Sequence, residues 1–375
     1  MKNYDAVIAG GGLIGACIAL ELAEAGLKVA VYEAHEPGRE ASWASAGMIS
    51  PAPENPGSIP FVPISLASAA LYPALIQRVE ALSGMDVGYR KDGAIDAILD
   101  GNVEEELSTV IALQHGVGLR AEALTAREAR EMEPSLTDEI EGAIFRPDEA
   151  SLDNRAFTDA VFKAAQQKGV RVFARNGAKS LWNEKGRCKG LMLEDGRVEA
   201  RWTIVAAGCF SARIEGVAPY APVFPAKGQM IALRCESVEI RRVLWLEHTY
   251  LVPRNDGRII AGSTIERTGF NHDVTVAGMQ KILSEAIKLA PGLVKAKVEE
   301  TWAGLRPDSP DHLPILGPAD LDGLLIATGH FRSGILLAPI TAVLMREWIC
   351  TQKVSVEWER FSPMRFSTAP KIQNV

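Results

Sequence analysis

The sequence predicts an α/β fold in two domains, the second of which is built on a mostly antiparallel β-sheet. Three observations predict it. The chain opens with an apolar strand, a glycine-rich turn and a helix. Short buried-type strands that end in small residues recur at 203–208 and 324–328. Between them, from about 217 to 303, the strands become longer and alternate apolar with polar residues, as half-buried antiparallel strands do.

The N-terminal segment forms a complete β-α-β unit. An apolar strand at 6–9 leads into glycines at G-x-G-x-x-G spacing, and an amphipathic helix follows until Gly26. A second strand at 28–32 leads into Glu33, 18 residues after Gly15. Because strand, turn, helix, strand and terminal carboxylate occur in this order, the unit predicts a Rossmann-like site for a dinucleotide.

Each glycine of this motif has a predicted role. Gly10 permits the tight turn, Gly12 lets the backbone approach a pyrophosphate on the helix N-terminus, and Gly15 allows close packing of helix and strand. Glu33 is predicted to accept hydrogen bonds from the ribose hydroxyls of the adenosine. The motif alone does not say which dinucleotide binds, and a glycine-rich turn in an ordinary α/β protein is the alternative interpretation.

The next segment, residues 40–60, contains proline and glycine at a density that argues against helix and sheet. A loop of this length inside a compact protein is usually functional. Helices are predicted at 65–83 and at 154–168, the second capped by Asp153 or Asn154. Short strands are predicted at 171–174, 179–183, 188–194 and 198–205.

The last third of the chain returns to the first pattern. Residues 250–263 predict a hairpin around Asn255-Asp256-Gly257, and a helix is predicted at Val276–Leu289. A buried-type strand at Leu324–Thr328 then leads through GHFRSG into a final helix that ends near Cys350. The dinucleotide-binding architecture is therefore expected to contain both ends of the chain.

Composition and charge argue against several classes of protein. The 375 residues, 47% of them hydrophobic, are enough for more than one core. A net charge of −7 without a Lys/Arg run argues against nucleic acid as the main partner. Five scattered cysteines without C-x-x-C spacing indicate neither a disulfide framework nor a metal site. The N-terminal apolar segment lacks signal-peptide features, and the run at 334–345 contains a proline and is too short to span a bilayer, so we expect a cytoplasmic enzyme without a membrane span.

Seven motifs carry a resemblance that covers essentially the whole chain. With them, the sequence resembles the D-amino-acid oxidase family of flavoproteins and, within it, the glycine oxidases linked to thiamine biosynthesis. The motifs are GGGLIG with Glu33, SWASAGM (42–48), VAAGCFS (205–211), PAKGQM (225–230), YLVPRNDGRIIAGST (250–264), TWAGLRPDSPDHLPILG (301–317) and GHFRSGILLAP (329–339).

The resemblance implies the cofactor and the domain organisation. It implies a noncovalent FAD, an FAD-binding domain of the GR2 type from residues 1–85, 150–215 and 304–365, a substrate domain from 86–149 and 216–303, and a tail at 366–375. No cysteine occurs in PDSPDHLPILGP after Arg306, where family members with covalent flavin have one nearby, and Cys350 lies at the end of the last helix. The implied FAD-binding residues are Gly10, Gly12, Leu13, Ile14, Gly15, Glu33, Ala34, Ala41, Ser42, Ala46, Gly47, Met48, Ala178, Gly208, His330, Phe331, Arg332, Ser333, Gly334, Ile335 and Leu336.

The chemistry requires a grip on the substrate carboxylate while a hydride leaves Cα for the flavin N5. Arg306 in WAGLRPDSP resembles the carboxylate arginine of the family, and a guanidinium grips a carboxylate bidentately. Arg332 matches a second active-site residue, and Tyr250 adds a hydroxyl. The alternatives are a surface salt bridge for Arg306, a solvent or phosphate contact for Arg332, and core packing for Tyr250.

No histidine is expected to be essential. A substrate ammonium buried beside Arg332 loses its proton readily, so no general base is needed. We expect His330 and His312 to be structural, and His248 and His272 to lie on loops. The free N–H groups and the dipole of the last helix are expected to point at the flavin N1 and C2 carbonyl.

The expected function is an FAD-dependent oxidase of glycine, sarcosine or small D-amino acids. It passes electrons to O₂ and yields hydrogen peroxide and an imine, which hydrolyses to a 2-oxo acid and ammonia. The alternatives are a D-amino-acid dehydrogenase that feeds a quinone, a tRNA-modifying oxidase domain, which the acidic charge disfavours, and a flavin-binding module without turnover. Trp43 occupies a position where small residues are usual and is expected to reshape access to the flavin. A homodimer or homotetramer is expected.

Overall fold

The computed structural model describes residues 4–52 and 56–366. Within them the chain forms two large sheets, a two-stranded ribbon and eight α-helices. The strands are β1 (Tyr4–Ala9), β2 (Val29–Tyr32), β3 (Met48–Ile49), β4 (Ala94–Ile98), β5 (Glu122–Thr125), β6 (Gly142–Arg146), β7 (Ala150–Ser151), β8 (Arg171–Phe173), β9 (Ser180–Glu184), β10 (Arg187–Leu193), β11 (Gly196–Val205), β12 (Phe224–Arg234), β13 (Val243–Leu246), β14 (Thr249–Pro253), β15 (Arg258–Gly262), β16 (Lys297–Asp308), β17 (Ile315–Pro318) and β18 (Leu324–Thr328). The helices are α1 (Leu13–Glu24), α2 (Ala41–Ala44), α3 (Val62–Ser83), α4 (Val103–Gly116), α5 (Ala126–Met132), α6 (Asn154–Gln167), α7 (Val276–Leu289) and α8 (Gly334–Thr351).

The first sheet is parallel at its centre and contains both the first and the last strand of the described chain. Its order is β17-β18-β11-β1-β2-β8, and β10 and β9 extend from β11 as an antiparallel arm. β1 pairs in parallel with β2 and β11, and β11 pairs in parallel with β18. Parallel central strands are buried on both faces, which explains the continuous apolar runs of β1 and β18.

Four helices cover one face of this sheet. α1, α3, α6 and α8 share one buried cluster with β1 and β2, in which Ile8, Phe157 and Leu337 are fully enclosed. α6 is capped by Asp153, whose carboxylate accepts from the Arg155 and Ala156 N–H groups; Asp153 is one of the two caps that the sequence predicts. Burial of this size is the main source of stability in such a domain.

The second sheet is antiparallel except for one pair. Its order is β16-β12-β15-β14-β13-β4-β6-β5, and only β13 and β4 run parallel. Alternate residues divide its two faces. Residues such as Leu244 and Leu251 pack under α7, whereas Trp245 and Tyr250 belong to the opposite face.

The predicted α/β fold class is confirmed, and most predicted elements lie within two or three residues of the observed ones. One expectation is wrong: the segment 40–60 holds the short helix α2 and the strand β3, which pairs with β7. Its prolines lie after β3, so the residues before them keep their backbone hydrogen bonds. The predicted domain boundary at 304 falls inside β16, and the domain limits stay a prediction.

Two helical segments are long and apolar enough to cross a membrane by length and composition, Ile59–Ser83 and Phe331–Thr351 within the described residues. The second is longer than the sequence analysis expects. The buried shares of their apolar windows are 39% and 61%. Tyr72 and Leu344, one from each segment, lie in the same core cluster, which is the position of helices that cover a sheet.

Candidate active site

A cavity of about 950 Å³ lies where the carboxyl ends of β1, β11 and β18 meet the face of the second sheet that carries Tyr250. Ligands of open α/β sheets bind at this edge, because the strand ends leave a crevice there. Its lining comes from both sheets, from α2 and from the start of α8. A single cavity therefore joins the predicted dinucleotide site to the predicted substrate site.

The glycines of the first turn keep the backbone at the cavity floor close-packed. Gly10 has φ +113°, and a Cβ atom there would lie 2.4 Å from the Ala206 carbonyl oxygen at the end of β11. A Cβ at Gly15 would lie 2.1 Å from the Gly10 carbonyl oxygen. Gly15 does not line the cavity and serves helix packing, whereas Gly10 and Gly12 line it.

The end of β2 carries Glu33 at the cavity wall. Its carboxylate accepts from the Gly11 N–H at 2.6 Å and from the His35 N–H at 2.8 Å. Each carboxylate oxygen has two acceptor sites, so both retain capacity for a hydroxyl donor. Nearby, the Ser42 hydroxyl accepts from the Leu13 N–H at 2.9 Å in the first turn of α1.

Trp43 does not lie where the sequence analysis expects it. Its ring lies 3.5 Å from the Arg155 guanidinium and packs edge to face on Trp302, so it faces away from the cavity. Asn154 donates to the backbone oxygens of Ser42 and Trp43, and Trp302 donates to that of Ala44. α2 is therefore held from outside by α6 and β16, while Ser42 and Ala44 face the cavity.

The strand-to-helix segment after β18 forms the third side. Residues 330–336 all line the cavity, and Phe331 has φ +46°. His330 is buried, and its Nε2 lies 3.0 Å from the Thr341 hydroxyl. Burial lowers the pKa of His330 to about 3, so the ring is neutral at physiological pH. This environment suits the structural role that the sequence predicts.

Arg306 reaches the cavity from β16. Its Nη2 donates to the Ser263 hydroxyl at 2.7 Å and its Nη1 to the Thr264 carbonyl at 3.2 Å. The guanidinium lies over Gly228, where a Cβ would stand 2.2 Å from it. Burial lowers the pKa of Arg306, Tyr250 raises it, and Arg332 lowers it. Among the described residues, no carboxylate lies within salt-bridge distance of Arg306, so a cation faces the cavity with neutral partners.

All predicted site residues except Gly15 lie around this one cavity, and their individual roles stay predictions. His312 lines it too and pairs with the buried Asp308 at 2.9 Å, while His248 lies in the turn between β13 and β14. The sequence analysis missed several lining residues of the second sheet, among them Asp96, Arg146 and Trp245. The sequence signal that could have revealed Asp96 is the presence of an aspartate in the middle of the apolar strand AIDAI.

The match to a family model decides the family. The model for the DAO family, described as FAD dependent oxidoreductase, matches residues 5–348. The chain belongs to this family. The resemblance drawn from the motifs is confirmed, and so is FAD as the cofactor.

Named relatives and solved structures are similar to this chain over nearly its whole length. The bifunctional protein ThiO/ThiG of Synechocystis sp. is 36% identical over 372 residues, which are 97% of this chain and 54% of the relative. The chain therefore spans about half the length of that relative. A glycine oxidase structure from Geobacillus kaustophilus has 30% identity and a TM-score of 0.92, covering 97% of this chain and 99% of that one. An iminodiacetate oxidase structure from Chelativorans sp. BNC1 has 29% identity and a TM-score of 0.87, covering 96% and 98%.

The residues present fit an FAD. A Cβ at Gly12 would lie 3.3 Å from the Ser42 hydroxyl oxygen, which is a tight contact. Because glycine has no Cβ, a cofactor can approach the backbone at the start of α1. The N-termini of α1 and α8 both lie at the cavity. Helix N-termini bind phosphate groups and electron-rich atoms favourably, because their free N–H groups and the helix dipole carry partial positive charge. The cavity volume lies near the upper end of the range for ligand sites, as a large cofactor together with a substrate requires.

Proposed function

We propose that the chain is an FAD-dependent oxidase of glycine, sarcosine or small D-amino acids. The observation that supports this proposal most is the Arg306 guanidinium, which lines the cofactor cavity and, within the part of the chain that the structure describes, has neutral hydrogen-bond partners. A partly buried guanidinium without an acidic partner binds an incoming carboxylate strongly. The similarity to the glycine oxidase of Geobacillus kaustophilus over nearly the whole chain supports the same substrate class.

The residues of the cavity position the substrate. Arg306 binds the carboxylate, the Tyr250 hydroxyl beside it contributes a further hydrogen bond, and Arg332 keeps the amine neutral by repelling a second positive charge. A bound FAD, held by the residues around Gly12, Glu33 and the start of α8, would supply the hydride acceptor and the route of the electrons to O₂. His330 stays neutral and bonded to Thr341, so His330→Ala is expected to retain flavin reduction. A variant that keeps its FAD but is not reduced would refute this role.

Anaerobic mixing of the holoenzyme with single amino acids tests the proposal. Glycine, sarcosine and D-alanine are expected to bleach the flavin absorption band, whereas L-alanine is not. Admission of air is expected to restore the band with one hydrogen peroxide per substrate. If the band bleaches but air restores it slowly while a quinone restores it at once, the enzyme is a dehydrogenase. If no amine or amino acid bleaches it, the proposed function is wrong.

We also propose that the FAD is noncovalent. Cys209 lines the cavity, and burial raises the pKa of its thiol to about 12, so the thiol stays protonated and does not attack the flavin. Acid precipitation is expected to leave the yellow colour in the supernatant. Colour in the washed pellet would contradict noncovalent binding.

A cytoplasmic location and a homodimer or homotetramer complete the proposal. The acidic surface and the five unpaired cysteines, three of them buried, support a reducing compartment.

Light scattering of the holoenzyme during size-exclusion chromatography gives the oligomeric state. A monomer at micromolar concentration would contradict it.

A further inference from the structure

A row of side chains crosses the cavity face of the second sheet beyond Tyr250. Asp96 is paired with Trp245, and Trp245 with Tyr250, in the register of adjacent strands. Residues opposite each other on neighbouring strands point to the same face. The Trp245 and Tyr250 rings lie edge to face with centroids 5.1 Å apart. Two strand spacings, about 10 Å, separate the backbones of Asp96 and Tyr250.

The far end of this row carries more acid than base. Asp96 lies 2.5 Å from Arg146, and 26% of its side-chain surface remains open. Arg146 also lies 3.6 Å from the buried Glu149, so two carboxylates share one guanidinium. Glu247, exposed in the turn after β13, lines the same cavity. Asp96, Arg146 and Glu247, which line the cavity, together with Glu149, which pairs with Arg146, are called the acidic wall below.

The surroundings of the acidic wall oppose additional negative charge. Burial raises the pKa of Asp96 and of Glu149, and Arg146 only partly offsets the effect. A further anion near them would meet the same weak solvation and two or three like charges. A cation would be attracted by these charges and by the Trp245 ring, whose π face binds positive groups.

The cavity is therefore polarised along the row. Arg306 and Arg332 form its cationic end, and the acidic wall forms its anionic end. A substrate held by its carboxylate at Arg306 can extend a further substituent over Trp245 toward Asp96, since all three residues line the same cavity. The binding free energy of the substrate therefore depends on the sign of the charge on that substituent.

We propose that the acidic wall selects the substituent on the substrate nitrogen or Cα by its charge. Positively charged and neutral groups are accepted, and a second carboxylate is rejected. The preferred extended substrates are N-substituted glycines with a second amino group. This inference rests on the proposed function, since it takes the first carboxylate to lie on Arg306.

Three N-substituted glycines of similar length test the charge preference. They are N-(2-aminoethyl)glycine, N-propylglycine and iminodiacetate, whose distal groups are positive, neutral and negative. The readout is kcat/KM for anaerobic flavin reduction by the holoenzyme, each value divided by that for glycine. We expect the order positive, neutral, negative, with at least about a tenfold difference between the ends.

Charge-neutral variants assign the preference to the acidic wall. Asp96→Asn and Glu247→Gln are each expected to reduce the positive-to-negative ratio about fivefold. Glu285→Gln removes a carboxylate from α7 on the other face of the sheet and is expected to leave the ratio within about twofold. Glu247 is exposed in a turn, so its variant keeps the fold even if Asp96→Asn, beside Arg146, does not.

The outcomes separate this inference from the proposed function. If glycine and sarcosine bleach the flavin but iminodiacetate equals or exceeds N-(2-aminoethyl)glycine, the acidic wall does not select by charge. An unchanged ratio in both wall variants that retain bound FAD also overturns the inference. If no compound including glycine bleaches the flavin, the proposed function itself has failed.

Discussion

At the scale of single residues, the candidate site depends on Arg306, a cation with no acidic partner among the described residues. Arg306 is fixed by Ser263 and Thr264 and lies over Gly228, which has no side chain to displace it. The geometry fixes the plane of the guanidinium before a substrate arrives. A planar fork in a fixed position binds a carboxylate through two parallel hydrogen bonds.

Replacement of Arg306 by lysine is therefore expected to be costly. Lysine keeps the charge but loses the bidentate geometry and the bonds that fix the plane. We expect kcat/KM for glycine to fall about 100-fold, corresponding to about 2.7 kcal/mol, with FAD absorbance retained. Arg234→Lys, on an exposed arginine of β12 that pairs with Glu299, is the control and is expected to change kcat/KM less than about twofold.

His330 gives the protein a pH dependence of known sign. Its pKa falls from 6.5 to about 3 on folding, so the unfolded chain binds a proton that the folded chain does not. This contribution is fully present above pH 6.5 and is lost as the pH falls, by about 2 kcal/mol at pH 5. His330→Gln is expected to remove that part of the pH slope in urea unfolding. The exposed His115→Gln serves as control, and equal slopes in all three proteins would contradict the assignment.

The sequence predicts site residues well where a backbone motif fixes their position. It predicts them poorly where their role depends on which face of a strand or helix meets the cavity. Gly10, Glu33 and Arg306 lie in or next to sequence motifs that adopt a single backbone geometry. Asp96 stands in AIDAI, and alternation does not say which face of β4 meets a cavity. The prediction for Trp43 is wrong for the same reason, because only the packing of α6 on α2 turns the Trp43 ring toward Arg155.

At the scale of elements, the first β-α-β unit needs glycine for two separate reasons. Gly10 and Gly26 both have φ above +80°, which is unfavourable for other residues. Only Gly10 also lies against another strand, since nothing approaches within 4 Å of a Cβ at Gly26. The comparison separates backbone conformation from the close approach of β1 and β11.

Alanine at each position measures the two effects. Gly26→Ala is expected to lower the free energy of unfolding by about 1 kcal/mol with FAD binding unchanged. Gly10→Ala is expected to lower it by about 3 kcal/mol or more and to weaken FAD binding, since β11 must move. Thermal unfolding and fluorescence titration of FAD measure both. Similar losses in the two variants would show that conformation alone matters.

Elements were predictable from sequence where one local pattern dominates. α7 and β18 have the predicted bounds because an amphipathic period or a closed apolar run defines them. The pairing of β4 beside β13 was not predictable, since it joins residues about 150 positions apart through tertiary packing. α2 was missed because its four residues are too few for a periodic signal.

At the scale of the whole molecule, the second sheet is tied to the cofactor-binding part through a buried arginine. Arg254, directly after β14, donates to the carbonyl oxygens of Leu152 and Ala46 and to the Asn154 side chain, at 2.8 to 2.9 Å. Burial lowers the pKa of Arg254 to about 10. Its three acceptors lie next to α2 and α6, so one side chain links the two sides of the cavity.

Arg254→Met is expected to leave these acceptors buried without a donor. We expect a loss of about 3 kcal/mol in the free energy of unfolding and weaker FAD binding, because α2 loses its outer support. The control Arg234→Met removes an exposed pair and is expected to cost less than about 1 kcal/mol. Urea unfolding with and without added FAD measures both, and equal losses would refute the linking role.

The central claim is that Arg306 holds the substrate by its carboxylate while the amine end is oxidised, and removal of that carboxylate tests it most directly. The measurement is the anaerobic rate of flavin reduction by sarcosine and by dimethylamine in the wild type and in Arg306→Met. The account predicts that wild type reacts with sarcosine at least about 100-fold faster, and that Arg306→Met loses most of this preference. Equal preference for sarcosine in the two proteins, both with FAD bound, would contradict the account.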